Sequence, residues 1–138
     1  LPNPPRRIDK MTPTEKRKAR NWLDFHRRNP IVFDTYCRLI LGAISEGRGD
    51  FAIGAITERL RWDADVIRLT GRVSLNDAFE PYYARLFAEL HPKAAPALEY
   101  RTSHADVVNY RAVIDGDDEA AVGPSDQFEL ALGLPDDE

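Results

Sequence analysis

Residues 30–47 read PIVFDTYCRLILGAISEG, and this stretch decides the fold class. Its apolar positions recur every three or four residues, which places them on one face of a helix. These positions are Val32, Phe33, Tyr36, Cys37, Ile40, Ala43 and Ile44. Asn29 can cap the helix, Pro30 suits its first position, and Gly47 suits a left-handed residue at its end. The pattern predicts a helix over 30–46 with one buried face.

Two further helices are predicted on either side of this stretch. The sequence TPTE at 12–15 has the spacing of a capping box, so a basic helix is expected over about 13–28. On the other side, Asp50 can cap a short helix that runs to about Trp62.

A fourth helix is predicted over 78–91. Asn76 supplies its cap, Pro81 can still belong to its first turn, and Pro92 ends it. Its apolar face contains residues that we expect in one core with those of the other helices. The residues expected there are Phe33, Ile40, Ile56, Phe87 and Leu90.

The β content is predicted to be small. Residues 66–75 are rich in β-formers around Thr70-Gly71, which is typical of a hairpin. Residues 98–102 alternate apolar and polar side chains and suggest a final half-buried strand, whereas 104–114 fit either a helix or a strand. The expected fold is therefore mainly α with a small β component (α+β), in the form of a winged-helix-like variant of the helix-turn-helix.

Charge divides the chain into unequal parts. Residues 1–28 contain nine basic and three acidic residues, whereas 115–138 contain nine acidic residues and no basic one. Periodic apolar positions lie between these ends, so we expect an extended arm at 1–11, one globular domain at 12–114 and an acidic, flexible tail at 115–138. The tail also carries an acidic-hydrophobic patch that could dock on a partner. This patch contains Phe128, Leu130, Leu132 and Leu134.

No constellation of residues in the sequence predicts a catalytic site. Asp63 and Asp65 could be imagined as an acid and base pair, but such acids are usually solvated, and no cofactor loop accompanies them. The segment GRG at 47–49 lacks the Lys-Ser/Thr of a phosphate loop. Cys37 lies within an apolar helix face, where a thiol behaves as a small hydrophobe. We therefore expect neither an enzyme nor a cofactor.

Metal binding and membrane insertion are not expected either. His26, His91 and His104 are widely separated, and none has a partner at metal-ligand spacing. The apolar runs are far shorter than the roughly 20 residues that cross a bilayer. One cysteine permits no disulfide within the chain, so we expect a cytoplasmic protein.

Several short segments together resemble a known group of proteins. They are FHRRNPIVF at 25–33, ITERLRW at 56–62, Leu75-Asn76, PYYARLF at 81–87 and His91-Pro92. As a set they resemble a family of small proteins common in bacteriophages and prophages, over about residues 22–102. The resemblance implies a phage origin and a winged-helix-like core. It implies no established activity and no catalytic residues.

The leading hypothesis is a phage-type DNA-binding or transcription-associated protein without catalytic activity. Basic side chains could contact the phosphates of double-stranded DNA, and the fourth helix could enter a groove. The residues proposed for this interface are Lys16, Arg17, Lys18, Arg20, Arg27, Arg28, Arg72, Tyr82, Arg85 and Arg101. The alternatives for individual residues are a solvated basic helix face, an ion pair of Arg85 with Glu89, and core packing of Tyr82.

Two other hypotheses follow from the same charge pattern. The first is a phage-encoded interaction module, an inhibitor or adaptor of a host protein, whose acidic tail occupies a basic groove. The second is a virion assembly component, since the oppositely charged ends permit salt-sensitive self-association into a homo-oligomer.

Overall fold

Helices dominate the structure. The computed structural model describes residues 11–71, 75–99 and 103–124. The elements in these ranges are α1 (Pro13–Arg28), α2 (Pro30–Ser45), β1 (Phe51–Ala52), α3 (Ile53–Arg61), α4 (Ala64–Thr70), α5 (Glu80–Leu90), β2 (Leu98–Glu99), α6 (Tyr110–Asp115) and α7 (Asp118–Val122). Single 3-10 turns occupy Asp77–Phe79, Ala95–Ala97 and His104–Val107. The predicted α+β class with a dominant helical part is confirmed.

The start of α1 follows the predicted capping box. The Thr12 hydroxyl accepts from the Glu15 amide at 3.1 Å, and a Glu15 carboxylate oxygen accepts from the Thr12 amide at 3.0 Å. The predicted capping role of Asn29 is wrong, because its side-chain amide instead donates to the Phe25 carbonyl at 3.0 Å and closes the end of α1. Pro30 still begins α2, so the chain turns between the two helices without an intervening loop.

The segment that joins α2 to α3 differs in part from its prediction. Gly47 has φ +85°, the left-handed conformation predicted for the residue that ends α2. Asp50 does not cap α3: it has φ +55°, and β1 intervenes before the helix begins at Ile53. Residues 51 and 52 form a strand of a small sheet, so the helix begins later than predicted.

The predicted hairpin over 66–75 is wrong, because its first limb is α4. The Asp63 carboxylate accepts from the amides of Asp65 and Val66 at 3.0 and 3.1 Å, and Gly71 ends the helix with φ +64°. A cap at one end and a left-handed glycine at the other specify a helix despite the β-forming side chains between them. Residues 72–74 lie outside the described residues.

The sheet consists of two short strands that are far apart in sequence. β1 pairs with β2 in parallel, with Phe51 opposite Leu98 and Ala52 opposite Glu99. The predicted strand over 98–102 is confirmed for its first two residues, and 100–102 lie outside the described residues. The sheet ties the start of α3 to the segment that follows α5.

An aromatic group forms the centre of the core. Trp22 of α1 is completely buried and stacks on Tyr82 of α5 with a centroid distance of 5.1 Å. Tyr36 of α2 contacts Tyr83 at 5.0 Å and shares a hydrogen bond of 2.7 Å with the Thr57 hydroxyl of α3. These contacts join α1, α2, α3 and α5 in one core.

One of the five predicted core residues is wrongly placed. Phe33, Ile40, Ile56 and Phe87 are buried, with exposed fractions of 8, 0, 3 and 0%. Leu90 is 40% exposed, because it ends α5, where the helix has passed the edge of the core.

The ordered body extends beyond the predicted boundary at residue 114. The segment left undecided forms a 3-10 turn at His104–Val107 and then α6, and α7 follows within the stretch assigned to the flexible tail. Ala121 and Val122 of α7 are buried, with 0 and 1% exposed. Two apolar residues on one helix turn therefore bind this acidic segment to the body. Residues 1–10 and 125–138 lie outside the described residues, so the arm and the rest of the tail stay predictions.

A pH-dependent loss of stability is expected from His26. Its ring stacks on Trp22 at 5.4 Å, and burial together with Arg27 lowers its pKa from 6.5 to about 4. Between these pH values His26 is protonated in the unfolded chain and neutral in the folded chain. The free energy of unfolding is therefore highest above pH 6.5 and falls as the pH drops to about 4. Because one pKa unit corresponds to 1.36 kcal/mol, the loss should reach at most about 3 kcal/mol.

Urea titrations at several pH values measure this loss. The matched control is His26→Gln, which removes the titrating ring and keeps all other ionisable groups. The variant should lose less stability than the natural chain over this pH range. Parallel pH profiles for the two chains would contradict the assignment.

Candidate nucleic-acid interface

One side of α1 carries a concentration of positive charge. Trp22, Leu23 and Phe25 turn toward the core, which leaves the opposite side and flanks of the helix to polar residues. Six basic residues on this helix are partly or fully exposed. They are Lys16, Arg17, Lys18, Arg20, Arg27 and Arg28, and are called here the basic face. The helix thus gathers six of the ten residues predicted for a nucleic-acid interface.

One flank of the basic face is held by α7 and α6. The Arg27 guanidinium forms a salt bridge of 2.7 Å with Asp118 and donates to the Val113 carbonyl at 2.8 Å. Arg20 donates to the Gly123 carbonyl, which lies just beyond α7. The acidic C-terminal segment therefore begins directly beside the basic face.

The other flank borders a cavity of about 430 Å³, called here the α1 cavity. Lys18 and Arg28 line it from α1, and Arg28 also donates to the Asp24 carbonyl at 3.2 Å. Phe79 and Tyr82 line it from the opposite side. Positive charge and aromatic rings thus meet at one opening.

Two predicted interface residues of α5 are not available on the surface. Tyr82 is 1% exposed because it packs against Trp22, so the core-packing alternative holds for it. Arg85 is 6% exposed, donates to a carboxylate oxygen of Asp106 and to the Pro81 carbonyl at 2.8 Å, and does not pair with Glu89 in the structure. The prediction that this part of α5 enters a groove is therefore wrong.

Arg72 and Arg101, the two remaining predicted residues, lie outside the described residues. The cavity contains polar residues that the sequence did not single out as interface residues, among them Asn21, Asn76 and His104. They are far apart in the chain and come together only when α1 packs on α5. Sequence spacing contains no signal for such a site.

The helices α3 and α4 form a second exposed surface. Only Trp62 and Asp63 separate them, both helices pack on α2, and Trp62 and Leu69 are 79 and 56% exposed. Acids pair with three of the arginines here: Arg38 binds Asp63, Arg61 binds Glu58 and Asp77, and Arg68 binds Asp65. This surface combines exposed apolar groups with balanced charge.

The remaining candidates have structural roles. Asp63 caps α4, and Asp65 pairs with Arg68 at 3.1 Å. Burial raises the pKa of the Cys37 thiol to about 12, which leaves it protonated at neutral pH. Within 11–71, 75–99 and 103–124 no group of three His, Cys, Asp or Glu residues is arranged to hold a metal ion.

No helix within the described part of the chain has the length and apolarity to span a bilayer. The chain was also compared with protein-family models, with curated proteins and with solved structures, and none of the three comparisons gave a match.

Proposed function

We propose that this chain is a phage-type DNA-binding protein without catalytic activity, associated with transcription in the cytoplasm of the host. The observation that carries the proposal is the basic face of α1, where six cations lie along one helix of 16 residues. A helix of this length extends about 24 Å. It can therefore lie across several phosphates of a duplex, which follow one another at about 1.7 Å along the axis when both strands are counted.

The basic face contacts phosphates, and such contacts position a protein on DNA without reading its sequence. Lys18 and Arg28 are exposed and border the α1 cavity, whereas Arg20 and Arg27 are bonded to residues at or just beyond α7. Binding through these cations releases counterions and weakens with added salt.

The helix-turn-helix part of the proposal is assigned to α2, α3 and α4. The short connection between α3 and α4 and their common packing on α2 support this assignment. The hairpin predicted over 66–75 is not part of this unit, because α4 occupies the first part of that segment. Because Arg38, Arg61 and Arg68 pair with acids, this unit supplies less phosphate affinity than α1.

The acidic tail regulates binding by competing with DNA. Asp118 holds the segment against Arg27, and five further acids follow within residues 125–138. They are Asp126, Glu129, Asp136, Asp137 and Glu138. A tethered acidic segment has a high effective concentration at the basic face, so it lowers DNA affinity without altering the face itself.

The exposed apolar residues favour a second candidate function, a phage-encoded inhibitor or adaptor that binds a host protein. Trp62 is the kind of side chain that anchors protein interfaces, and Leu69 is a second exposed apolar side chain on this surface. In this alternative the tail occupies a basic groove of the partner. In a virion assembly component, the same charges would instead join copies of this chain in a homo-oligomer.

A gel-shift experiment with and without residues 125–138 tests the proposal. The deletion begins at 125 and not at 115, because Ala121 and Val122 are buried in the body. The shortened chain should bind duplex DNA more tightly than the whole chain, and the difference should shrink as salt screens the tail.

The interaction-module alternative gives the opposite outcome. There the deletion abolishes binding to a basic host protein, and neither chain shifts DNA. A deletion that leaves DNA affinity unchanged at low salt would contradict the regulatory role of the tail.

A further inference from the structure

The α1 cavity has a floor that is aromatic and a rim that is charged. Phe25 and Phe79 lie against each other with a centroid distance of 4.9 Å, and Tyr82 lines the cavity beside them. Lys18 and Arg28 stand on the α1 side. A ligand that fits this arrangement has a flat ring and a negative group.

Hydrogen-bonding groups surround the same space. Asn21 and Asp24 line the cavity from α1, and Asn76 and His104 line it from other parts of the chain. The Asn76 side-chain oxygen accepts from the Ala78 amide at 2.9 Å. The NH₂ group of the same side chain can therefore donate to a ligand. Amides and carboxylates of this kind can pair with the polar edge of a nucleobase.

We infer that the α1 cavity binds one unstacked nucleotide of a single strand, with the base against the Phe25–Phe79 pair and the phosphate at Lys18 and Arg28. This inference rests on the proposed function and deepens it, since it adds a base site to a phosphate-binding face. The volume of the α1 cavity, about 430 Å³, lies in the range typical of small-molecule sites.

A nucleotide fits better than other anionic ligands of similar size. A fatty acid would leave the amides and the carboxylate of Asp24 without partners. An inorganic anion would use only Lys18 and Arg28 and would leave the aromatic floor uncovered. Aromatic rings beside a basic track are the combination with which proteins bind single strands.

Trp22 provides a reporter for occupancy. It stacks on Tyr82 inside the core, whereas Trp62 is 79% exposed and directly follows α3. The variant Trp62→Phe therefore leaves one tryptophan, in contact with a residue that lines the cavity. All further variants are made in this full-length background.

The experiment measures anisotropy of labelled oligothymidine and of a labelled duplex together with Trp22 emission. Oligothymidine should bind and change Trp22 emission. Ala78→Phe, which adds a ring at an exposed residue lining the cavity, should abolish the emission change and leave duplex binding intact. Phe79→Leu, which removes a partly exposed ring that lines the cavity, should weaken oligothymidine binding by about 5-fold or more, because base–aromatic stacking is lost.

The control Arg48→Ala removes an exposed cation that does not line the cavity and should leave the Trp22 response unchanged. Oligothymidine binding that is equal in the parent, Ala78→Phe and Phe79→Leu would overturn the inference, while duplex binding would preserve the proposed function. Failure of both the parent and the chain that lacks residues 125–138 to bind either nucleic acid would instead overturn the proposed function. A Trp22 response to removal of residues 125–138, with none to oligothymidine, would make the tail the occupant and also overturn the inference.

Discussion

Replacing Phe87 with alanine is expected to lower the free energy of unfolding by about 3–5 kcal/mol. Phe87 is completely buried in α5, among the side chains that join α1, α2 and α3 to that helix. The substitution removes apolar contacts and leaves a cavity that the surrounding core fills only in part. Urea denaturation followed by circular dichroism measures the change.

Leu90 supplies the matched control on the same helix. It is 40% exposed at the end of α5, so Leu90→Ala should cost less than about 1 kcal/mol. Similar losses for the two variants would mean that the core does not have the arrangement described. A small loss for Phe87→Ala alone would indicate that its face is an interface.

Neutralising four cations of the basic face is expected to have the largest effect on DNA binding. Lys16, Arg17, Lys18 and Arg20 are replaced with glutamine or alanine, and the affinity for a duplex is measured over a range of salt concentrations. Each phosphate contact contributes a slope of about −0.9 to the plot of log affinity against log salt. Losing the contacts should therefore flatten the slope and weaken binding most at low salt.

A second set of four substitutions controls for total charge. Arg38, Arg48, Arg59 and Arg68 are exposed on or near α2, α3 and α4. Three of them pair with acids: Arg38 with Asp63, Arg48 with Glu46 and Arg68 with Asp65. Their neutralisation should change the slope less than neutralisation on α1. A larger change from this second set would place the DNA on the α3–α4 surface and contradict the role of α1.

The elements with strong local signals were predictable from the sequence. The capping box at Thr12 marks the start of α1, the left-handed Gly47 follows the end of α2, and Pro81 lies in the first turn of α5. Each of these signals acts within one turn of its helix. The α4 segment was not predicted, since β-forming side chains outweighed the cap that Asp63 provides.

The candidate site was predictable only in part. The basic residues of α1 are visible as charge along one helix, but the burial of Tyr82 and Arg85 depends on Trp22 and Asp106, which are distant in sequence. The packing of α7 escaped prediction because two apolar residues within an acidic stretch carry little periodic signal. The α1 cavity likewise results from tertiary contacts alone.

The most direct test of the central claim is an anisotropy titration of a labelled duplex with the chain that lacks residues 125–138, at about 50 mM salt. We expect saturable binding whose affinity falls linearly on a log–log plot as salt is added. The absence of any anisotropy change at this salt concentration, where electrostatic binding is favoured, would contradict DNA binding by the basic face and leave the host-protein adaptor as the function.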